Sequence, residues 1–407
     1  MSWKEYTLGE VSSNIQTGPF GSQLHQSDYS EQGIPVVMPK DLIEGHISEV
    51  SIARVDQEHV ERLSRHKIEV GDILYSRRGD VGRCAYAGVK EEGWLCGTGC
   101  LRVSVNPNIA NPKYVFYQLQ KTETIGWVIN HAVGATMLNL NTSILSSVPI
   151  ELPELDVQNH TVDILSVYDN LIENNQKQIR LLEEAAQRLY KEWFMDLHFP
   201  GCENVNVVDG VPEGWEKRSI LENDVFKFVK NPVEPFDGEK RYYATADVNS
   251  TQLVGHGELI TYLKKPSRAS VQPVKNSVWF ARMSNSYKIL NCFGVSNDLA
   301  DNTIISSGFA GFTSSEELYG FVYETISSKW FDDEKNLYAT GATQVSLTNE
   351  GLKRIEVLLP SMDLLAKYSQ IVMQYMRKCE ILKRNILLLK DARNRLLPKL
   401  TSGEIEI

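Results

Sequence analysis

"GATMLNLNTSIL", residues Gly134–Leu145, returns as "GATQVSLTNEGL", residues Gly341–Leu352, 207 positions along a chain that otherwise resembles itself little. Aligned at that offset without gaps, Leu140 falls on Leu347 and Leu145 on Leu352. "SVPIELPELD" then lies beside "RIEVLLPSMD", so both copies carry Leu-Pro-x-x-Asp: Leu152, Pro153 and Asp156 against Leu359, Pro360 and Asp363. The register continues through Ile164/Ile371, Ile179/Ile386, Leu182/Leu389, Ala185/Ala392, Arg188/Arg395 and Leu189/Leu396. Self-similarity at one fixed period marks a structural unit used twice.

The second part of each copy reads as a long helix. Pro153 and Pro360 end an apolar, strand-like run, and Asp156 and Asp363 are placed to cap the helix that comes next. In the first copy apolar or small residues fall at Tyr168, Ile172, Ile179, Leu182, Ala186, Leu189 and Trp193. The second copy has Tyr375, Cys379, Leu382, Ile386, Leu389 and Leu396. Steps of three, four and seven make a heptad seam, and each helix has one obvious partner, the other copy. Asn175 interrupts the first seam where Leu382 sits in the second, a polar group suited to fixing register. About thirty helical residues would span roughly 45 Å.

Each helix is preceded by some 150 residues of another character: "GIPVVMP", "GDILYSRRGDVGRCAYAG" and "GCLRVSV" first, then "NSVWFARM" and "DNTIISS". Short apolar, β-branched runs broken by Gly, Pro, Asn and Asp indicate strands and turns. Ile73–Arg77 resembles Val278–Arg282 at an offset of 205, and Trp3 resembles Trp215 at 212, so loop lengths differ. The expected class is α+β: two globular mixed α/β domains separated by two long helices that form an antiparallel coiled coil, with an internal pseudo-twofold repeat. The boundaries fall at 1–156 and 211–362 for the globular domains, 157–210 for the central helical region, and 363–407 for the distal helix and tail.

Composition excludes several classes. The 407 residues, 42% hydrophobic and 23% charged, contain no apolar run of membrane-spanning length. The N-terminal "MSWKEYTLGE" lacks the apolar core of a secretory signal, and the chain reads as cytoplasmic. Six scattered cysteines form no Cys-x-x-Cys pair; Cys84, Cys96 and Cys100 could in principle ligate zinc, but free thiols near a core are the plainer reading. There is no phosphate-binding Gly-x-x-x-x-Gly-Lys loop, no Gly-x-Gly-x-x-Gly turn and no Asn-Pro-Pro-aromatic segment of the kind that holds a flipped base. A recognition or assembly protein fits better than a catalyst. The net charge of −10 requires any nucleic-acid surface to be local.

Several segments resemble the specificity subunits of type I restriction–modification systems. They are "RLLPKLTSGEI" (Arg395–Ile405), "RLYKEWFMDLHFPG" (Arg188–Gly201), "TGPFGSQL", "GIPVVMPKDL", "GDILYSRRGDVG", "GATMLNLNTSIL" and "VPEGWE" (Val211–Glu216). The resemblance covers essentially the whole chain in its four-part order. It implies a non-catalytic subunit with two target-recognition domains on two antiparallel helices, each domain reading half of a split, asymmetric double-stranded DNA sequence. It further implies that the helices measure the unread spacer and dock two methyltransferase subunits. S-adenosylmethionine, ATP and Mg²⁺ belong to the methyltransferase and restriction partners, with no cofactor or metal in this chain. Seam residues are then Ile172, Ile179, Leu182, Leu189, Leu382, Ile386, Leu389 and Leu396. A scaffold that joins partners without reading DNA is the alternative.

Reading bases calls for forked donors or amides on loops that reach a groove. Arg77 and Arg78 follow a strand end and precede Gly79; Arg282 is the counterpart in the second domain. Lys40 and Lys288 are candidates for phosphate. Gly21, Ser22 and Gln23, with Gly18, lie in a Gly-rich loop that could approach the backbone, and Thr136 and Thr343 could donate to phosphate or shape their loop. The basic distal helix, with Arg377, Lys378, Lys383, Arg384, Lys390, Arg393, Arg395 and Lys399, is expected to pair with acidic faces of the first helix, which carries Glu173, Glu183, Glu184 and Glu192, or of a partner, with direct phosphate contact as the alternative.

Overall fold

A computed structural model describes residues 3–134, 137–253, 257–294, 298–342 and 344–405. The chain forms two compact units, residues 1–171 with 389–407, and residues 172–388. The division falls inside both long helices, so each unit holds a length of each.

The first unit contains strands β1 (Lys4–Thr7), β2 (Ser12–Thr17), β3 (Ile34–Val37), β4 (Ala53–Val55), β5 (Ile73–Ser76), β6 (Cys84–Tyr86), β7 (Leu95–Cys96), β8 (Cys100–Val105) and β9 (Pro149–Leu152). Its central sheet has the order β2-β8-β5-β6, antiparallel throughout. A smaller sheet, β4-β3-β7, pairs β3 and β7 in parallel. β1 pairs with β9, from Lys4 opposite Leu152 to Thr7 opposite Pro149, returning the chain to its start before the helix begins. "ILYS" in β5 is buried at all four positions, whereas "PIEL" in β9 alternates exposed and buried. The continuous run marks a strand covered on both faces and the alternating one a strand covered on one. Helices α1 (Pro112–Leu119) and α2 (Thr122–His131) close the core, with Asn111 capping α1 through Oδ1.

The second unit repeats this plan. Its strands are β10 (Glu216–Ser219), β11 (Lys227–Phe228), β12 (Lys240–Tyr243), β13 (Glu258–Ile260), β14 (Ala269–Val271), β15 (Ser277–Ala281), β16 (Ile289–Cys292), β17 (Thr303–Ser306), β18 (Phe309–Thr313) and β19 (Glu356–Leu359). The orders β11-β18-β15-β16, β13-β12-β17-β14 and β10-β19 match the first unit sheet for sheet, including the parallel pair, here β12 and β17. β14 is represented in the first unit only by a single antiparallel bridge, Lys67 to Leu95. The faint similarity of Ile73–Arg77 to Val278–Arg282 is therefore a true equivalence of central strands, blurred by unequal loops.

Helix α3 runs Leu155–Tyr190, and Lys191–Met195 continue it as a π turn; after two helices in the second unit (α4, Tyr319–Ser327; α5, Lys329–Leu337), α6 spans Met362–Ser402. Asp156 and Asp363 stand in the first turns rather than ahead of them, where a carboxylate still favours the positive end of the helix dipole. Within each unit α3 and α6 run antiparallel. In the second, the Cys379 thiol faces the Ile179 carbonyl and Tyr368 faces Ala186. In the first, Asp169 meets Arg393, and Leu165 shares a core with Leu397 and Leu400. Ile172, Leu382 and Ile386 are buried, and so is Asn175; Ile179, Leu182, Leu189, Leu389 and Leu396 are half-buried. Toward its end the buried face of α6 shifts from Leu396 to Leu397 and Leu400, because there the helix packs on the first unit's globular core as well as on α3.

Two buried acids punctuate these contacts. In the first unit the Asp169 carboxylate accepts from Tyr117 Oη at 2.6 Å and Arg393 Nη1 at 2.7 Å, with Lys113 Nζ 3.6 Å away. Burial pushes its pKa up, but the Tyr117 and Arg393 hydrogen bonds and the two cations outweigh this and hold it below the usual value. In the second unit Glu324, buried on α4, is raised to about 8 by desolvation and by the nearby Glu183. Asp169→Ala should cost about 2 kcal/mol by orphaning Arg393. Because the folded pKa lies below the unfolded one, this contribution is present at neutral pH and lost as pH falls below about 4; acid unfolding should show it. Glu324 has the opposite sign. Its neutral form suits the fold, so stability declines as pH rises from about 4.5 to 8, and Glu324→Gln should raise the thermal midpoint at pH 8 more than at pH 5.

Candidate nucleic-acid interface

Antiparallel order places the end of β2, the start of β8, the end of β5 and the start of β6 at one end of the first unit's central sheet. The chain departs from this end in segments distant in sequence. The Gly18 amide donates to the Cys100 carbonyl at 2.9 Å, and the Arg77 amide donates to the Gly99 carbonyl at 2.8 Å. Pro39 abuts Gly99, which brings the Met38–Asp41 turn to the same edge. Asp41 holds that turn by accepting from the Met38 amide at 2.8 Å.

The repeated glycine loop docks on this end. Val133 and Asn139 exchange backbone hydrogen bonds of 3.0 and 2.8 Å, closing a tight loop. Leu140 N–H donates to the Arg77 carbonyl at 2.8 Å, and Gly79 N–H donates to the Leu138 carbonyl at 3.0 Å. In the second unit Thr340 and Ser346 exchange bonds of 3.0 Å, Leu347 donates to Arg282 at 2.8 Å, and Ser284 donates to Val345 at 3.0 Å. Arg282 N–H reaches the Gly308 carbonyl at 2.9 Å, as Arg77 N–H reaches Gly99. Asp247 accepts from the Ala244 amide at 2.7 Å, repeating Asp41. Immediately after each loop a side chain caps a short helix: Asn141 Oδ1 accepts from Ile144, and Thr348 Oγ1 accepts from Gly351.

Gly134 and Gly341 make the loops possible. Their φ values are +128° and +141°, and a Cβ there would lie 2.2 Å from the Met137 carbonyl oxygen and 2.3 Å from that of Gln344. Thr136 and Thr343 lie outside the described residues.

The other candidates occupy different situations on these surfaces. Arg78 is exposed beside the loop, forming a backbone bridge with Asn139, while Arg77 is half-buried with its Nε enclosed. Arg282 is turned inward: Nη1 donates to the Leu347 carbonyl and Nη2 to Asn349 Oδ1, both at 2.9 Å, and the guanidinium lies 5.9 Å from the Phe228 ring centre. Burial lowers its pKa from the ordinary arginine value. Lys40 Nζ donates to the Ser51 carbonyl and Lys288 Nζ to that of Thr245, both at 2.6 Å, and Lys40 remains largely exposed. Gly21 and Ser22 are exposed, and half-buried Gln23 pins the turn by accepting from the Phe20 amide at 3.1 Å. The carbonyls of Gly99 and Gly308, on which both arginine strand ends hang, carried no sequence signal: Gly99 falls on Gly308 at an offset of 209, outside the dominant period.

The basic face of α6 is largely ion-paired; one partner, Asp169, lies on α3, while these pairs do not use Glu173, Glu183, Glu184 or Glu192. Arg377 meets Glu316 at 2.8 Å, Lys383 meets Glu380 at 3.2 Å, Arg393 meets Asp169, Arg395 meets Asp391 at 3.0 Å, Lys399 meets Glu404 at 3.2 Å, and Lys390 pairs with Glu44. Among the described residues no group of three or more side chains is arranged to hold a metal, and Cys96 is a buried thiol pushed up to about 12 by desolvation.

A family model for the type I restriction modification DNA specificity domain matches residues 1–184. The MjaIX specificity subunit of Methanocaldococcus jannaschii is 24% identical over 405 residues, covering 93% of this chain and 88% of its own. The HindI specificity subunit of Haemophilus influenzae is 21% identical over 490 residues, covering 99% of both. Among solved structures, the type I S subunit of M. genitalium matches with a TM-score of 0.53 at 16% identity, over 98% of this chain and 96% of the other. Residues 1–184 thus carry the type I DNA specificity domain, and the chain as a whole is similar to type I specificity subunits. The matched 1–184 region contains the first unit's globular part and most of α3, and the second unit repeats the sheet order of that part apart from the added strand β14.

Gly134→Ala and Gly341→Ala should each disorder only their own loop, because no L side chain fits the φ or the space. Hydrogen exchange is expected to rise at Val133–Leu140 in the first variant and at Thr340–Leu347 in the second, with local destabilisation of about 2 kcal/mol.

Proposed function

We propose that this chain is the DNA-reading, non-catalytic subunit of a type I restriction–modification complex. Each unit reads one half of a split, asymmetric duplex sequence with the loops at the end of its central sheet. α3 and α6 set the unread spacer and dock two methyltransferase subunits, which bring S-adenosylmethionine. Restriction subunits with ATP- and Mg²⁺-dependent activity join that core, and the complex works in the cytoplasm. The observation that carries this reading is the same loop-on-strand-end junction built twice, on domains whose surfaces differ.

Position separates reading groups from positioning groups. Arg78, exposed beside the glycine loop, suits base-edge or phosphate contact, with Arg77 behind it. Arg282 already fastens its loop through two side-chain donors and is a positioning residue in the second domain. Lys40 suits phosphate in the first domain and Lys288 in the second, while Gly21, Ser22 and Gln23 bring a turn close to the DNA backbone. Dispersed cations and a net charge of −10 put part of the phosphate affinity on the methyltransferase partners.

The test is modified-base sequencing of DNA from a host that expresses this chain with its cognate methyltransferase, against a host lacking the chain. A methyladenine pattern at a split motif is the expected result; assembly without any pattern would favour a scaffold that reads no DNA. Arg78→Ala should relax or weaken recognition in one half-motif, about tenfold for the loss of one good contact. Equal loss in both halves would overturn the assignment of one half to each unit.

A further inference from the structure

The longest acid-free stretch of the second recognition domain runs from Leu259 to Asn297. It carries Lys264, Lys265, Arg268, Lys275, Arg282 and Lys288 with no Asp or Glu, in a chain of net charge −10. Three of these cations have partners elsewhere in the domain: Lys275 pairs with Asp301 at 3.3 Å, Arg282 clamps its loop, and Lys288 donates to Thr245. Lys264 and Arg268 are exposed and have no ion-pair partner among the described residues. Between Thr261 and Lys265 a single helical turn, Tyr262–Lys264, holds up Leu263, which is 93% exposed.

This turn is well supported. Tyr262 packs edge-on against Phe236 at 5.9 Å, and Lys265 donates to the Ala269 carbonyl at 2.9 Å. Pro266 accepts from the Ala269 amide at 2.9 Å. The Arg268 carbonyl accepts from Ser307 at 2.9 Å, and the next residue, Gly308, receives the Arg282 amide. The turn is thus joined to the sheet end that carries the repeated loop. It leads into β14; the first unit's turn at the same place, Ser64–His66 ahead of the Lys67–Leu95 bridge, carries no exposed apolar residue, so the exposed leucine belongs to the second domain alone.

A leucine presented to water on a turn and followed by two exposed cations without ion-pair partners among the described residues gains nothing for the fold, and the charge near it in the chain is complementary to phosphate. We propose that Leu263 is an apolar wedge that enters a base step of the second half-site, with Lys264 and Arg268 on the flanking phosphates. This rests on the DNA-reading function proposed above and adds to it a deformation component: a side chain that unstacks a step kinks the duplex and favours sequences in which unstacking costs least, such as pyrimidine–purine steps. The first domain, whose corresponding turn Ser64–His66 presents no exposed apolar side chain, would read its half without that component.

The complex with the methyltransferase tests it, on duplexes bearing the motif found by modified-base sequencing and 2-aminopurine at successive positions of the second half-site. One position should brighten on binding, and Leu263→Ala should abolish the signal and weaken binding about tenfold, as expected for losing the burial of a leucine side chain. Leu263→Phe should keep the signal, and Lys264→Ala with Arg268→Ala should lower affinity and flatten its salt dependence. An unchanged thermal midpoint for Leu263→Ala, expected from its exposure, separates these effects from misfolding. Sequence-selective binding with no brightening anywhere in that half-site overturns the wedge and leaves the DNA-reading function standing. Loss of methyltransferase assembly in Leu263→Ala overturns it in favour of a protein contact. Absence of any sequence-selective binding removes both.

Discussion

One backbone hydrogen bond, made twice, organises each globular domain: Leu140 N–H to the Arg77 carbonyl, and Leu347 N–H to the Arg282 carbonyl, both 2.8 Å. It ties the chain leaving the glycine loop to the end of a central strand. Everything downstream inherits that position, from the capped short helix to the strand that pairs with the domain's own N-terminus and the long helix after the proline. The bond requires the loop to close tightly, which in turn requires glycine at φ +128° and +141°. This is why Gly-Ala-Thr recurs although the surrounding surfaces have little in common.

The same junction explains why scaffold and surface can change independently. Arg77 and Arg282 are held through backbone atoms, by Gly99 and Leu140 in one case and by Gly308 and Leu347 in the other. Their side chains are free to take different roles: Arg282 turns inward to fasten Leu347 and Asn349, while neighbouring Arg78 faces solvent. A domain built this way tolerates new side chains on its loops without losing the geometry that presents them.

Packing along α3 and α6 depends less on apolar continuity than the heptad reading suggested. Buried Asp169, with Tyr117 and Arg393, and buried Asn175 interrupt the stripe. A buried carboxylate with two short hydrogen bonds and a cation accepts only one arrangement of its partners, so it specifies how helix and domain meet where leucines would permit sliding. The ion pairs of α6 act along the same contact surfaces, drawing on Glu44, Asp169 and Glu316 from outside its own sequence, pairings that no spacing rule along one helix could reveal.

Sequence alone determined the features that depend on local periodicity: the repeat at 207, the two long helices, the prolines before them, the placement of Ile172, Leu382 and Ile386 in the interior, and the strand ends at Arg77 and Arg282. These are legible because helical and strand periods and glycine's special conformations are written residue by residue. Only the tertiary structure decided that the faint offsets of 205 and 212 are the same fold, that the distal seam moves from Leu396 to Leu397 and Leu400, that Arg282 faces inward while Arg78 does not, and that Leu263 stands beside the second sheet end. Those outcomes depend on which strands become neighbours across long loops. A carbonyl such as that of Gly99 or Gly308 acquires its partner only when the sheet forms, and nothing in its own residue type announces it.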